Sequence, residues 1–315
     1  MPRKTRSSVD IVIPVYNEGT VVEQTYASLR AILNNLPYTF TIYYINDGST
    51  DNTSGILDRL RRKDRNVRVV ELSRNFGHQA ALSAGLAASR GDVVITMDGD
   101  GQHPPELIPQ MLDLVKQGYD IVQTQRMEAQ SGVFKQWTSA GFYRLLNLMS
   151  GTRVLPGGAD FRALSRQAVE GLKSMPEYHR FLRGMITWMG YSSVILPYHE
   201  QRRIAGSSKY SPGKMLRLAM DAIFSFSLVP LYIGLSMGGI LLCLALAEMI
   251  YVLSFWVTGR TTNLAPGWSS LMFVILIVGG LLMISLGFVA VYIGYIFQEV
   301  KHRPVYLKKN EGKDG

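Results

Sequence analysis

The sequence predicts an α/β domain built on a mostly parallel sheet, followed by membrane-surface helices and two transmembrane helices. Three observations carry this. Short apolar runs alternate with helix-patterned segments through the first 125 residues, polar clusters sit where those runs end, and two long stretches near the C-terminus are almost free of charge. Strands alternating with helices give parallel sheets with helices on both faces.

Residues 10–15 are an apolar strand ending in Pro-Val-Tyr-Asn-Glu, and residues 20–34 carry helical spacing through Val21, Val22, Leu29, Ile32 and Leu33. A second strand, 40–45, ends in Asn46-Asp47-Gly48-Ser49. Thr50-Asp51 then caps a helix through Ile56, Leu57 and Leu60. The pattern repeats as strand 67–72, a small-residue helix over 79–89, strand 93–97, helix 105–117 and strand 120–124. In such sheets ligands bind beyond the carboxyl ends of the strands. The polar clusters lie there: Tyr16-Asn17-Glu18, Asp47-Gly48-Ser49, residues 73–78, and Asp98 to His103. No phosphate-cradling Gly-rich loop follows the first strand, which argues against an NTPase or a nicotinamide enzyme.

Residues 228–257 and 268–297 are apolar runs well beyond the ~20 residues that cross a bilayer core. Trp256, Trp268 and Tyr295 flank them at interfacial depth, and the connecting loop is too short to be a domain, so they read as a helical hairpin over 227–300. Lys209, Lys214 and Arg217 precede the first run and Lys301, Arg303, Lys308 and Lys309 follow the second, whereas the loop carries only Arg260. The positive-inside rule then places residues 1–212 and the basic tail 301–315 in the cytoplasm. The polar first ten residues do not read as a signal peptide. Gly234-x-x-x-Gly238 and Ala290-x-x-x-Gly294 are small-residue faces that permit close packing, including between subunits. Glu248 reads as protonated, as paired within an oligomer, or as lying near the far interface.

The 315 residues hold 33 Lys and Arg against 24 Asp and Glu, net +9, with 18% charged and 47% apolar. That composition excludes a disordered or collagen-like chain, and the single Cys243 excludes a disulfide framework or a Cys-rich metal site. Residues 1–125 are net −1, and the excess sits in residues 126–217, with 14 basic and 5 acidic residues. There the cations, among them Arg126, Arg144, Arg153, Arg162 and Arg166, are interleaved with Phe134, Trp137, Phe142, Tyr143, Leu145 and Leu146. This reads as an interfacial helix near 132–150, with a second over 213–226, resting on an anionic leaflet. Arg126 and Arg162 are assigned instead to an acceptor phosphate, since each follows a strand or motif near the site. The position of the charge beside the apolar runs makes lipid, not nucleic acid, the expected anion.

Asp98-Gly-Asp100-Gly-Gln102 puts two carboxylates and an amide oxygen on a turn after a buried strand. These are hard oxygen ligands of the kind that hold Mg²⁺ or Mn²⁺ together with substrate phosphates. Asp47 and Glu18 can accept hydrogen bonds from a base or a ribose. Of the two acids in the second loop, Asp51 suits the cap and Asp47 the ligand. Arg203 and Lys209 lie on a Gly/Ser-rich segment before the first apolar run, where cations could engage phosphate.

Val12-Ile-Pro-Val-Tyr-Asn-Glu18, Asn46-Asp-Gly-Ser-Thr-Asp51, Asn75-Phe-Gly-His-Gln79 and Asp98-Gly-Asp-Gly-Gln-His-Pro-Pro-Glu106 resemble the successive motifs of family 2 glycosyltransferases. Ala159-Asp-Phe-Arg162, Arg203-x-x-Gly206-x-Ser208-Lys209-Tyr210 and the two-helix C-terminus resemble the polyprenyl-phosphate branch of that family. The resemblance covers nearly the whole chain and implies a GT-A, Rossmann-like fold. It implies that Pro14, Tyr16, Glu18, Asp47, Asn75 and Asp98 bind a nucleotide-sugar donor and that Asp98, Asp100 and Gln102 surround the metal. Asp100, Asp160, Arg203 and Lys209 are the expected catalytic residues, with the loop 203–210 closing over the site. Asp160 would act near the acceptor, screened by Arg162 or Arg126. His78 departs from the pattern, since relatives often carry Lys there.

The implied reaction is attack of a polyprenyl phosphate oxygen on the anomeric carbon, with inversion. UDP-glucose is the first expectation for the donor, ahead of GDP-mannose or a UDP-aminosugar. A processive polysaccharide synthase of the same fold would carry Gln-x-x-Arg-Trp and more spans, and a non-catalytic scaffold would not need the carboxylate set.

Overall fold

The computed structural model describes residues 7–127, 158–199, 229–258 and 267–309, which fall into two compact units. One holds the sheet together with the last stretch of chain from Arg303; the other holds the apolar helices. The expected interfacial helices at 132–150 and 213–226, with Arg144 and Arg153, and the loop bearing Arg203 and Lys209 lie outside the described residues.

The first unit is a seven-stranded sheet of β1 (Ser8–Val15), β2 (Thr39–Asn46), β3 (Val67–Glu71), β4 (Val93–Thr96), β5 (Ile121–Arg126), β6 (Gly158–Ser165) and β7 (Ser193–Tyr198). The strand order is β3-β2-β1-β4-β6-β5-β7. All neighbours run parallel except β6, which is antiparallel to both β4 and β5. β1 is flanked by β2 and β4 and is buried from Val9 to Val15, which is why, Asp10 apart, it reads as a continuous apolar run and not an alternating one.

Helices α1 (Val22–Leu33), α2 (Thr53–Lys63), α3 (His78–Ala88) and α4 (Ile108–Lys116) follow the first four strands, close to their expected places. The fourth begins with a 3₁₀ turn at Pro105–Leu107. Asp51 does cap α2, accepting the Thr53 N–H at 3.0 Å. β6, β7, α5 (Arg166–Ser174) and α6 (Leu182–Trp188) have no counterpart in the sequence pattern. β6 escapes a hydrophobicity reading because Asp160 and Arg162 interrupt it, although both are buried; each charge is tolerated by the other.

α3 is almost wholly small residues, and seven of its positions from Ala80 to Leu86 are buried. It lies so close on the sheet that a Cβ at Gly85 would overlap Val12 Cγ1 and stand 3.0 Å from Ile45 Cγ1. This close approach sets the height of His78 above the strand ends.

The second unit is a pair of helices, α7 (Val229–Val257) and α8 (Trp268–Val300), of 29 and 33 residues. Both are long and apolar enough to cross a membrane, and side chains such as Leu235, Leu242 and Ile293 point outward. Of the small-residue positions, Gly234 packs on Ser285, whose hydroxyl donates to its carbonyl at 3.5 Å. Among the described residues, nothing lies within 4 Å of where a side chain would begin at Gly238 or Gly294.

Gly85→Ala is expected to lift α3 from the sheet at a cost of about 1–3 kcal/mol, the usual range for overpacking a core. A thermal melt in detergent matching that of the wild type would contradict the close packing.

Candidate active site

The site lies at the carboxyl ends of β1, β2, β3 and β4, and the loops leaving these strands are tied to one another by hydrogen bonds. Asn17, with φ of 53°, donates its N–H to Ser49 Oγ at 3.0 Å and accepts the Thr50 N–H at 2.8 Å. Asn is among the few residues that adopt this backbone readily. The next two N–H groups continue the seam, Glu18 donating to Thr53 Oγ1 at 3.0 Å and Gly19 to Asp51 Oδ2 at 3.2 Å. Asn46 links the second loop to the third strand: its amide donates to Ser54 Oγ at 2.6 Å and Glu71 Oε2 at 2.8 Å, and its oxygen accepts the Ser49 N–H at 3.0 Å.

Asp47 is only 3% exposed, and its two oxygens accept the N–H groups of Phe76 at 2.7 Å and Gly77 at 2.9 Å. Burial raises its pKa and the two N–H bonds oppose that rise. The residue expected to bind a nucleoside therefore also holds the β3–α3 loop, which carries the exposed Asn75. Gly48, with φ of 66°, has no room for a side chain, because a Cβ would stand 2.5 Å from the Arg74 carbonyl carbon. Tyr16 is 36% exposed and Glu18 half-buried at the first strand end; Pro14 is buried within β1.

The β4–α4 loop turns around a histidine. Asp98 donates its N–H to His103 Nδ1 at 3.0 Å, which leaves the ring proton on Nε2. His103 is 2% exposed and stacked on Phe161 at 5.1 Å, and burial lowers its pKa against the pull of Asp98 and Asp100. Gly99 is required because a Cβ would come within 2.8 Å of Val15 Cγ1 and 3.2 Å of Pro14 O. Asp100 Oδ1 accepts the Gln102 N–H at 3.1 Å, so Asp98, Asp100 and Gln102 share one short turn.

Asp98 Oδ1 is buried and, beyond its 3.4 Å approach to His78 Nε2, has no hydrogen-bond partner among the described residues, where no group of three His, Cys, Asp or Glu side chains is placed to hold a metal. The carboxylates of Asp98 and Asp100 are still the hard oxygen donors that suit a divalent cation whose other positions are filled by phosphate oxygens.

Asp160 on β6 is the hub of the remaining charges. Its Oδ1 accepts from Arg162 Nη2 at 2.5 Å and from Arg183 Nε at 3.1 Å, and its Oδ2 accepts from Arg183 Nη2 at 3.2 Å. His78 Nε2 stands 3.3 Å from Asp160 Oδ2 and 3.4 Å from Asp98 Oδ1, bridging the two acids. Burial alone would raise the Asp160 pKa, but Arg183 and Arg162 outweigh it and hold the carboxyl well below its usual range. Burial likewise disfavours charge on His78, yet Asp98 and Asp160 raise its pKa to about 8. The two acids thus favour a charged histidine at a position where the resemblance leads to a lysine.

Two arginines stand apart from the expectations. Arg162, expected on an acceptor phosphate, is 4% exposed and also donates to the Ala159 carbonyl, so it serves the interior of the cluster. Arg183 was not singled out by any motif, and its side chain is 29% exposed against 5% for Arg162. Its signal in the sequence is a lone charge within the otherwise uncharged Phe181 to Trp188. Arg126 is half-buried at the end of β5, near enough to His103 to disfavour its protonation.

Because the folded pKa of His78 lies above its ordinary 6.5, the stabilisation it brings is complete below about pH 6.5 and is lost as pH rises through about 8. Chelator-treated wild type should lose more thermal stability between pH 6 and 9 than His78→Gln does. Parallel pH profiles would show that His78 does not carry this charge.

The family model for glycosyl transferase family 2 matches residues 10–172 of the chain. An uncharacterized glycosyltransferase of Synechocystis sp. is 39% identical, covering 95% of this chain and 94% of that protein. The bactoprenol glucosyl transferase of Shigella phage SfV is 37% identical, covering 96% and 98%. Among solved structures, mannosyl-3-phosphoglycerate synthase from Rubrobacter xylanophilus covers 69% of this chain and 72% of its own, with 20% identity and a TM-score of 0.48. With its motifs in order at the strand ends and relatives matched along nearly their full length, the chain belongs to glycosyl transferase family 2.

Proposed function

We propose that the protein transfers glucose from UDP-glucose to the phosphate of a polyprenyl lipid at the cytoplasmic face of a membrane, inverting the anomeric centre. The observation that carries this reading is the bridge through His78 between the Asp98 turn and the Asp160 cluster. It sets a carboxylate pair suited to a metal-bound diphosphate beside cations suited to a second phosphate. Similarity to bactoprenol glucosyl transferases and the two apolar helices support the lipid acceptor.

The loops of β1, β2 and β3 hold the nucleoside, with Tyr16, Glu18, Asp47 and Asn75 around it. Asp98 and Asp100, with Gln102 beside them, would hold Mg²⁺ or Mn²⁺, which when bound supplies positive charge to the leaving diphosphate. Arg126 and Arg183 orient the acceptor phosphate, and Arg203 and Lys209 close on the phosphates from the segment before α7. The nucleophile is a phosphate oxygen already ionised near neutral pH, so no general base is required. That agrees with the state of Asp160: held ionised by two arginines, it is a poor proton acceptor and orders cations instead. The positive-inside rule places this unit in the cytoplasm.

Labelled sugar transfer to undecaprenyl phosphate in detergent, with UDP-glucose, GDP-mannose and a UDP-aminosugar compared, tests the reading. Wild type should prefer UDP-glucose. Asp100→Ala and EDTA should each lower turnover by about 10²-fold or more, with Mn²⁺ or Mg²⁺ restoring the EDTA-treated enzyme alone. Arg183→Ala should raise the acceptor KM more than Arg183→Lys. Preference for GDP-mannose would overturn the donor, and full activity in EDTA the metal.

A further inference from the structure

β3 is the outermost strand on its side of the sheet, and the chain leaving it is paired on the outside by the C-terminal stretch. Leu72 faces Lys308 in an antiparallel bridge. Ser73 donates its N–H to the Leu307 carbonyl at 2.8 Å, and Lys309 donates its N–H to the Glu71 carbonyl at 2.7 Å. On the inner side Leu72 donates to the Asn46 carbonyl at 2.9 Å. Leu72 is therefore held from both sides at the point where the sheet ends.

The attachment is made by main chain. Leu307 is 54% exposed, and the Lys308 and Lys309 side chains are exposed as well. Little apolar surface is buried, so the contact adds little to stability. What it does fix is direction. Within a few residues the same strand end becomes the loop whose Phe76 and Gly77 N–H groups bind Asp47, and whose Arg74 backbone lies against Gly48.

We propose that residues 307–309 form a positioning strand for the donor: by clamping residues 71–73 they set the path of the loop 74–77 and hence the pocket for the nucleotide. This rests on the reading of the β1, β2 and β3 loops as the donor site. Without the clamp, the freed groups of residues 71 and 73 would be satisfied by water, so the fold persists while the loop loses its fixed origin. Donor binding suffers; acceptor binding, which depends on the Asp160 cluster, does not.

Lys309→Pro removes the N–H that reaches Glu71, whereas Lys309→Ala keeps it, and a chain ending at Tyr306 removes the clamp while retaining Lys301 and Arg303 after α8. In full-length protein in detergent, Lys309→Pro and the shortened chain should exchange the Phe76 and Gly77 amides about tenfold faster than wild type. The KM for UDP-glucose should rise about three- to tenfold, with the acceptor KM and kcat at saturating donor within about twofold. Lys309→Ala should match wild type in each. An unchanged donor KM in both altered chains, or a fall in kcat alone, would overturn the proposal. If wild type does not use UDP-glucose, the donor reading fails separately, and unchanged amide exchange at Phe76 and Gly77 would still overturn the clamp.

Discussion

A carboxylate buried in the middle of a sheet constrains everything around it. Asp160 occupies the antiparallel strand β6, 5% exposed, where an uncompensated charge would cost several kcal/mol. Arg162 beside it and Arg183 from α6 neutralise that cost, and His78 joins them from the end of α3. β6, α3 and α6 must therefore meet at one point, and α3 can reach it only because its small residues let it lie close on β1 and β2. The position of the Asp98 turn follows, since His78 touches both acids.

The other half of the site is rigid for a different reason. Few ion pairs are involved; backbone N–H groups of one loop end on side-chain oxygens of the next. Asn17, Asp47 and Asp51 each accept from a neighbouring loop, so three loops behave as one surface. Such bonds are individually modest, about 1 kcal/mol net. Their effect is to remove conformational freedom before a ligand arrives, which lowers the entropy lost on binding.

Much of this was legible in the sequence because the chemistry is local. Strands β1 to β5 and helices α1 to α4 announce themselves by apolar runs and by the polar residues that end them. The Asp51 cap and the Asp98 turn were readable for the same reason. The Asp160 cluster was not, because it joins residues from positions 78, 98, 160, 162 and 183 that share no spacing. β6 was hidden by its own charges: Arg162 was one of two arginines expected to screen Asp160, but nothing in their spacing showed that both lie in a buried strand. The partners of Arg162 were not readable either, because a guanidinium in a motif is compatible with facing a ligand or another side chain. His103 looked like part of a polar turn, and its role as a buried acceptor for the Asp98 N–H depends on Phe161 from another strand.

The pairing of Leu72 with Lys308 joins positions that lie on either side of both apolar helices in the chain. During synthesis, the outer edge of the sheet at residues 71–73 therefore emerges early and stays without this partner until residues 307–309 have been made, after both helices. An open edge strand is a template for pairing with other chains. Completion of the sheet-bearing unit is thus coupled to synthesis of both apolar helices, and a chain arrested before residues 307–309 would carry the side chains of the candidate site on a sheet lacking this partner.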